Sequence, residues 1–392
     1  MSNNWNVVPF TEAVDIWDTL RKPINSSERT SRIAGKKQSE LYPYYGATGQ
    51  VGFIDDYITD GEYVLLGEDG APFLDAYAPK AYIINGKTWV NNHAHVLRSK
   101  TNNKFLCYYL NSFNYKGFVS GTTRLKLTQA EMKRIPVPVP SIPEQERIVA
   151  RIEELFSQLD AGVETLKKTK AQLAVYRQAV LKEAFTRQIW PVKRVSDLGE
   201  VCLGRQRSPK NVSKDYPTKY IRAANITEGG LSLNDVLEME FTPPEREKYY
   251  LKQGDIIVSE ASGSISQVGK PAIWNNEIEN CCFQNTVIRL RLSDDFPEYV
   301  CWYIKFLYVS GAIAKIAGGV GINHLGANKF SNIEIPVPPI KQQKSIVSEI
   351  ESHISVCDSI EQTVDTALQQ AEALRQSILK KAFEGRQKCG VT

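Results

Sequence analysis

The chain has 392 residues, of which 42% are apolar and 23% charged, the proportions of a globular protein with two or three domains. A formal charge of +4 permits nucleic-acid binding without arguing for it. Seven cysteines without C-x-x-C spacing argue against a metal site or a disulfide framework, and no signal peptide or 18-residue apolar run is present, which predicts a cytoplasmic protein.

Residues 1–140 are predicted to form the first globular domain. Short β-branched and aromatic runs at 62–66 and 80–84 are bounded by turn sequences at 67–70 and 85–86, the pattern of strands joined by turns. A short helix is expected at 101–113. The domain should therefore be mixed α and β, with strand predominating.

Residues 141–188 are predicted to form a long helix. A proline-rich entry ends where apolar residues begin to recur at steps of three, four or seven, which is close to a heptad seam. At 1.5 Å per residue, a helix over about 143–187 would measure roughly 65–70 Å. Gln145 is expected to help satisfy the polar groups of its first turn.

Residues 189–338 are predicted to form a second domain of the same type, and residues 339–386 a second long helix before a tail at 387–392. Strand-like runs lie at 255–258 and 286–290, and a short helix is expected at 297–313. Each domain also closes on a loop of small residues before its long helix.

The two helical segments are copies of one another. Residues 134–188 and 332–386 align without a gap at a constant separation of 198 residues, and 20 of the 55 positions are identical. The globular segments resemble each other only weakly. This is an internal duplication in which a domain and a helix each occur twice.

A long apolar seam must be covered, and the matched lengths favour the other helix of the same chain as its partner. The fold class predicted is α+β, with two mostly-strand domains alternating with two long helices that pair as an antiparallel intramolecular coiled coil; a coiled coil between chains is the alternative. The predicted interface residues are Ile148, Ile152, Leu159, Leu166, Phe185, Ile346, Ile350, Val364, Leu368 and Phe383.

Clusters of basic, amide and hydroxyl side chains beside glycine-rich turns suit contacts to phosphates and base edges. The candidates for DNA binding in the first domain are Arg32, Lys36, Lys37, Tyr45, Arg98, Thr123, Arg124 and Lys126. Those in the second domain are Arg205, Arg207, Arg222, Asn225, Ser262, Ser264, Gln267, Lys270, Asn323 and His324. Individually, each basic residue could also be a solvated surface charge, and Tyr45 could belong to the core.

The repeated Ile-Pro-Val-Pro entry, the helix starts at 144–149 and 342–347 and the helix ends at 177–181 and 375–379 resemble those of specificity subunits of type I restriction-modification systems. The resemblance covers essentially the whole chain. It implies two target recognition domains that each read half of a bipartite DNA site, helices that set the spacer, and docking of two modification (methyltransferase) subunits, with restriction subunits added for cleavage. It also implies S-adenosylmethionine in the modification subunit, ATP with Mg in the restriction subunit, and no cofactor in this chain.

Catalytic motifs are missing from the sequence, so we expect a non-catalytic subunit. Thr242-Pro243-Pro244-Glu245 lacks the aromatic residue of an amino-methyltransferase motif, and Ala81 replaces the first glycine of a phosphate-binding loop that would end at 86–88. Two other hypotheses remain: a coiled-coil scaffold carrying two β domains that bind sugar or peptide, and a self-sufficient DNA-modifying enzyme.

Overall fold

The computed structural model describes residues 5–206, 215–294, 296–318 and 323–384. The chain divides into two compact units, the first formed by Met1–Lys168 with Val364–Thr392 and the second by Thr169–Thr363. Each unit contains one globular domain and a portion of both long helices. No helix in the described ranges is long and apolar enough to span a membrane.

The first half of the chain contains ten strands and five α-helices within its described residues. The strands are β1 (Asn6–Pro9), β2 (Val14–Ile16), β3 (Tyr42–Gly46), β4 (Gly49–Ile54), β5 (Thr59–Asp60), β6 (Tyr63–Gly67), β7 (Ala81–Ile84), β8 (Lys87–Val90), β9 (Ala94–Ser99) and β10 (Pro136–Val139). The helices are α1 (Phe10–Ala13), α2 (Ser26–Ile33), α3 (Asn103–Ser112), α4 (Gln129–Lys133) and the first long helix, α5 (Ile142–Thr186).

The first domain is built on two four-stranded sheets. One has the order β2-β9-β6-β7 and is antiparallel throughout, and the other has the order β4-β3-β8-β5, in which β3 and β8 run parallel. Strand β10 pairs with β1 just before α5 begins, which fixes the start of the long helix to the domain. Helix α3 lies within the predicted range and begins where Asn102 accepts a hydrogen bond from the Phe105 amide at 3.0 Å.

The second half repeats this plan. The strands are β11 (Val192–Arg194), β12 (Gly199–Leu203), β13 (Pro217–Ile221), β14 (Ile226–Thr227), β15 (Gly230–Leu231), β16 (Leu237–Glu240), β17 (Ile256–Ser259), β18 (Ala261–Ser262), β19 (Pro271–Ile273), β20 (Cys282–Phe283), β21 (Val287–Leu292), β22 (Asn323–His324) and β23 (Glu334–Pro336). The helices are α6 (Val195–Leu198), α7 (Pro243–Tyr249), α8 (Pro297–Val309), α9 (Ala312–Ile316), α10 (Ala327–Ser331) and the second long helix, α11 (Ile340–Glu384).

The sheets of the second domain have the strand order of the first. The sheet β12-β21-β17-β19 corresponds to β2-β9-β6-β7, and β16-β13-β20 corresponds to β4-β3-β8, including the parallel pair β13 and β20. Strand β23 pairs with β11 before α11, as β10 pairs with β1 before α5. The duplication seen in the helices therefore extends to the scaffold of the domains.

In the first unit, the start of α5 and the end of α11 pack antiparallel against the first domain. Ile148 and Ile152 of α5 share one apolar core with Leu379 and Phe383 of α11. The Phe383 ring lies edge-on to two aromatic rings of α3, at 5.3 Å from Phe105 and 5.6 Å from Tyr109. The last turns of the chain's second helix are thus part of the first domain's core.

The second unit uses the other ends of the same helices. Val180 and Phe185 of α5 share a core with Val347 and Ile350 of α11. The Phe185 ring packs against Tyr299, Tyr303 and Phe306 of α8 at 5.1–5.7 Å. Farther along the pair, Arg177 bridges Asp358 at 2.6 Å and Glu361 at 2.8 Å. The predicted intramolecular, antiparallel pairing is confirmed in each unit.

Gln145 and Gln343 are both buried and do more than complete a helix turn. Gln145 donates to the Pro140 carbonyl at 2.9 Å and accepts from the Thr101 hydroxyl at 2.9 Å. Gln343 donates to the Pro338 carbonyl at 3.0 Å and accepts from the Phe296 amide at 3.3 Å. Each glutamine therefore joins a proline-rich entry to the segment that precedes α3 or α8.

Candidate nucleic-acid interface

Two loops occupy the same place in the two domains. The first hairpin loop, residues 120–126, is closed by reciprocal backbone bonds of 2.8 and 3.0 Å between Ser120 and Lys126. In the second domain, Gly318 and His324 exchange equivalent bonds of 2.9 and 3.1 Å, and the segment that they close is called the second hairpin loop, although residues 319–322 lie outside the described ranges. Each of these residues lies 198 positions from its counterpart. The loops carry five of the predicted DNA-binding residues, and their common closure presents those residues from equivalent positions.

In the first domain, the hairpin loop forms one wall of an open cleft of about 690 Å³. The other walls are the turn between β3 and β4 and the segment at 69–72. Thr123 and Arg124 both line the cleft, and Arg124 Nε lies 2.8 Å from Asp69 Oδ1. Gly121 has a φ of +100°, and a Cβ there would collide with the Arg124 carbonyl, so the loop requires glycine.

A buried polar network holds the end of this loop. His95 is fully buried and lies between two acceptors, with Nδ1 2.8 Å from Asp18 Oδ2 and Nε2 3.1 Å from the Leu127 carbonyl. Gln129 donates to the same Asp18 oxygen at 2.9 Å. Burial alone would raise the pKa of Asp18, but the hydrogen bond and charge of His95, with help from Gln129 and the Val96 amide, hold that pKa below its ordinary value.

Two of the three basic candidates before β3 are engaged by one carboxylate. Arg32 and Lys36 both contact Asp55, at 2.6 and 2.7 Å, and the Arg32 guanidinium also lies 5.1 Å from the Trp89 ring centroid. Hydrogen bonds from Lys36 and then Arg32 keep the pKa of Asp55 below its ordinary value. Lys36 and Lys37 are both exposed, but Asp55 engages Lys36, so among these three candidates Lys37 is the most open to a phosphate.

The structure does not bring Tyr45 and Arg98 to the hairpin loop. Tyr45 is half-buried and its ring packs at 5.8 Å against Tyr82. Arg98 lines a separate cleft of about 510 Å³ with Lys100 and Lys104, on the side of the domain where Lys104 pairs with Glu153 of α5.

In the second domain, several candidates lie around the end of the hairpin loop, and His324, Ser264 and Gln267 among them are exposed. His324 and Asn323 form β22, which pairs with Ala261 and Ser262 of β18. Ser264 and Gln267 follow on an exposed turn, where the Ser264 hydroxyl lies 2.8 Å from that of Ser266. A polar surface is thus assembled from two segments, 261–267 and 323–324, that are far apart in sequence.

Four other candidates of the second domain face inward or are engaged. Arg205 is 7% exposed and its Nε contacts Glu245 at 2.7 Å, while Asn225 is buried and bonds the carbonyls of Ser232 and Asp235. Lys270 is buried and donates to Gln267 at 2.5 Å, and Arg222 pairs with Asp235. Arg207 lies outside the described residues.

The predicted helix-interface residues are all at least partly covered. Ile148, Ile152, Phe185, Ile350, Val364 and Phe383 are buried, and Leu159, Leu166, Ile346 and Leu368 are half-buried. Sequence reasoning missed the buried residues Val149, Leu181, Val347 and Leu379. Each lies one position beside the heptad seam, so the seam is wider where a helix also faces a domain.

Acidic residues at the loop bases were also missed. Glu68 and Glu260 each follow a buried central strand. The backbone carbonyl of Glu68 accepts a hydrogen bond from the Leu127 amide at 2.7 Å, and that of Glu260 accepts one from the Leu325 amide at 2.9 Å. Leu127 and Leu325 are the residues that follow the two hairpin loops. An acidic residue directly after a mostly apolar strand that ends in a small residue is the signal that could have identified them. No group of His, Cys, Asp or Glu within the described ranges is arranged to hold a metal ion.

The chain matches the family model described as the type I restriction modification DNA specificity domain twice, over residues 4–174 and 188–370. A putative type I restriction enzyme specificity subunit of Haemophilus influenzae is 32% identical over 379 residues, covering 93% of this chain and 91% of that protein. The specificity subunit of the EcoKI enzyme of Escherichia coli is 26% identical over 302 residues, covering 72% and 65%. The solved HsdS subunit of Thermoanaerobacter tengcongensis shares the fold, with a TM-score of 0.57, 16% identity and 98% coverage of both chains. A chain from a structure of type I restriction-modification complex assembly gives a TM-score of 0.70 at 16% identity, with 99% coverage of both.

Proposed function

The chain belongs to the family of type I restriction-modification DNA specificity subunits, and from this membership we propose that each of its two domains reads one half of a bipartite double-stranded DNA target. The observation that carries the proposal is the pair of hairpin loops. They share a closure and a place in the fold but differ in side chains, as expected of two readers of different sequences on one scaffold.

The DNA-contacting surface of the first domain is proposed to be the cleft at the first hairpin loop, with Thr123, Arg124 and Lys126 contacting bases or phosphates and Lys37 adding a phosphate contact. In the second domain we assign the role to Asn323, His324, Ser264 and Gln267. The residues that face inward, above all Arg205 and Asn225, instead shape the domain that presents these side chains. Arg207 keeps its assignment from the sequence alone.

The two long helices are proposed to set the spacer between the half-sites. Each helix contributes one end to each unit, so its length links the two recognition domains through continuous α-helix rather than through a flexible linker. The domain division at 1–140, 141–188, 189–338, 339–386 and 387–392 is part of this proposal.

The chemistry is assigned to partner subunits. Two modification subunits carrying S-adenosylmethionine would methylate a flipped base, and restriction subunits using ATP and Mg would cleave unmodified DNA. The present chain would act without catalysis and in the cytoplasm. The absence of an amino-methyltransferase motif in the full sequence supports this division of labour.

The test is replacement of residues 189–332 by the corresponding domain of another family member. The donor must keep aromatic residues at the positions of Tyr299, Tyr303 and Phe306, so that Phe185 retains its packing. Methylation mapping of cells carrying the chimaera and the modification subunit should show one changed half-site and one unchanged. A change in both half-sites would contradict independent reading.

A further inference from the structure

Each hairpin loop ends on a lysine or histidine side chain that faces the side chain of a glutamate placed directly after a central strand. In the first domain, Lys126 Nζ lies 3.5 Å from Glu68 Oε1. In the second domain, His324 Nδ1 lies 3.1 Å from both carboxylate oxygens of Glu260. The two pairs occupy equivalent positions, because the residues after Lys126 and His324 both donate their amides to the carbonyls of these same glutamates.

The surroundings of the two glutamates differ. The Glu68 carboxylate is shared, since it also contacts Arg21, and Arg21 in turn bonds Asp18 at 3.1 Å. The Glu260 side chain is only 8% exposed, and among the described residues His324 alone contacts its carboxylate. A buried carboxylate is costly unless it is paired and hydrogen-bonded, so the fold strongly favours keeping His324 in this place.

This pairing fixes how the imidazole faces outward. An ionised carboxylate only accepts hydrogen bonds, so Nδ1 must be the donor toward Glu260. The His324 side chain is 52% exposed, and with Nδ1 engaged its Nε2 is the ring nitrogen left to contact a ligand. Nε2 can accept from a base amino group or, when protonated, donate to phosphate or guanine, whereas Lys126 only donates.

We propose that Glu260 is a positioning residue that orients His324 so that Nε2 contacts DNA, and that Glu68 plays the same part for Lys126 in the first domain. The proposal rests on the DNA-reading function proposed above. Under this proposal the two domains use different side chains at equivalent loop positions. The first domain uses Lys126, paired with a carboxylate that also contacts Arg21, and the second uses the His324 imidazole, paired with the Glu260 carboxylate.

The test measures binding of the full chain, in complex with its modification subunit, to a duplex carrying the sequence defined by methylation mapping. Glu260→Ala should weaken binding roughly tenfold, the effect of losing one oriented contact. Glu260→Gln keeps an acceptor for Nδ1–H and should bind within about threefold of wild type. The difference in affinity between wild type and Glu260→Ala should vanish on a duplex in which the half-site of the second domain is scrambled. For Glu68→Ala, the difference should vanish when the half-site of the first domain is scrambled.

A double-mutant cycle separates positioning from general support of the fold. If Glu260 acts through His324, adding Glu260→Ala to His324→Ala should cost almost nothing further. Wild-type affinity in Glu260→Ala, or full additivity with His324→Ala, would overturn the proposal. If the alanine variant does not fold, a loss of binding in Glu260→Gln as large as that in His324→Ala would overturn it instead. Wild-type complex that fails to prefer the mapped duplex over a scrambled one would instead reject the DNA-reading function itself.

Discussion

Replacing Phe383 by alanine should destabilise the first recognition domain although the residue lies about 270 positions beyond its helix α3. Phe383 is 3% exposed and its ring packs edge-on against Phe105 and Tyr109. Truncation of a buried phenylalanine leaves a cavity and typically costs about 3–5 kcal/mol. Phe383→Ala also removes the edge-on contacts with Phe105 and Tyr109, so we expect the loss in the free energy of unfolding to lie within that range.

Hydrogen exchange of the full chain, followed by mass spectrometry, can locate this loss. A cost of about 3–5 kcal/mol corresponds to exchange of the protected amides of α3 (Asn103–Ser112) that is roughly 10²- to 10³-fold faster or more. The amides of α8 (Pro297–Val309) should change little. Phe185→Ala should give the reverse pattern, because Phe185 packs on α8.

Leu374→Ala is the matched control, since Leu374 lies on the same helix but is 50% exposed, and it should shift exchange by no more than about 0.5 kcal/mol. Equal acceleration of α3 and α8 in Phe383→Ala, or no acceleration of α3, would refute the view that the end of α11 belongs to the first unit.

Three further predictions address the recognition surface and the helices. Asp18→Asn should lower the urea midpoint of the first unit relative to wild type. Because the pKa of Asp18 is depressed in the folded state, this difference in midpoint should be complete above the ordinary pKa of 3.8 and shrink as the pH falls below it. A difference that does not depend on pH would exclude the charge of Asp18 as its cause. Lys37→Gln should weaken binding to all DNA sequences and reduce the salt slope by roughly 0.9, and an unchanged slope in salt titrations would remove Lys37 from the phosphate contacts. Inserting four residues after Lys168 and another four after Thr363 lengthens each helix by about 6 Å. Methylation mapping should then reveal a spacer longer by about one or two base pairs. An unchanged spacer would show that the helices do not determine its length.

The helices could be predicted from sequence because their determinants are local and occur twice. The heptad-like spacing and the proline-rich entries place helices close to the observed Ile142–Thr186 and Ile340–Glu384. The strands at 63–67 and 256–259 were likewise expected, since buried β-branched runs between turns indicate strands.

The recognition residues were harder to predict because exposure depends on tertiary contacts. Composition cannot show that Asp55 engages Lys36, which is exposed like Lys37, or that Glu245 engages Arg205 inside the second domain. The pairing of His324 with Glu260 spans 64 residues and leaves no periodic trace in the sequence. Local pattern thus predicts the scaffold, and the choice among polar side chains requires the fold.

The central claim is that one chain carries two independent readers and that its two long helices set the spacer between their half-sites. Sequencing the methylome of cells that express this chain with its modification subunit tests that claim most directly. Two short blocks of specified bases, separated by a gap of constant length and each containing a methylated position, are the expected result. A single uninterrupted motif, or blocks separated by gaps of varying length, would contradict the account.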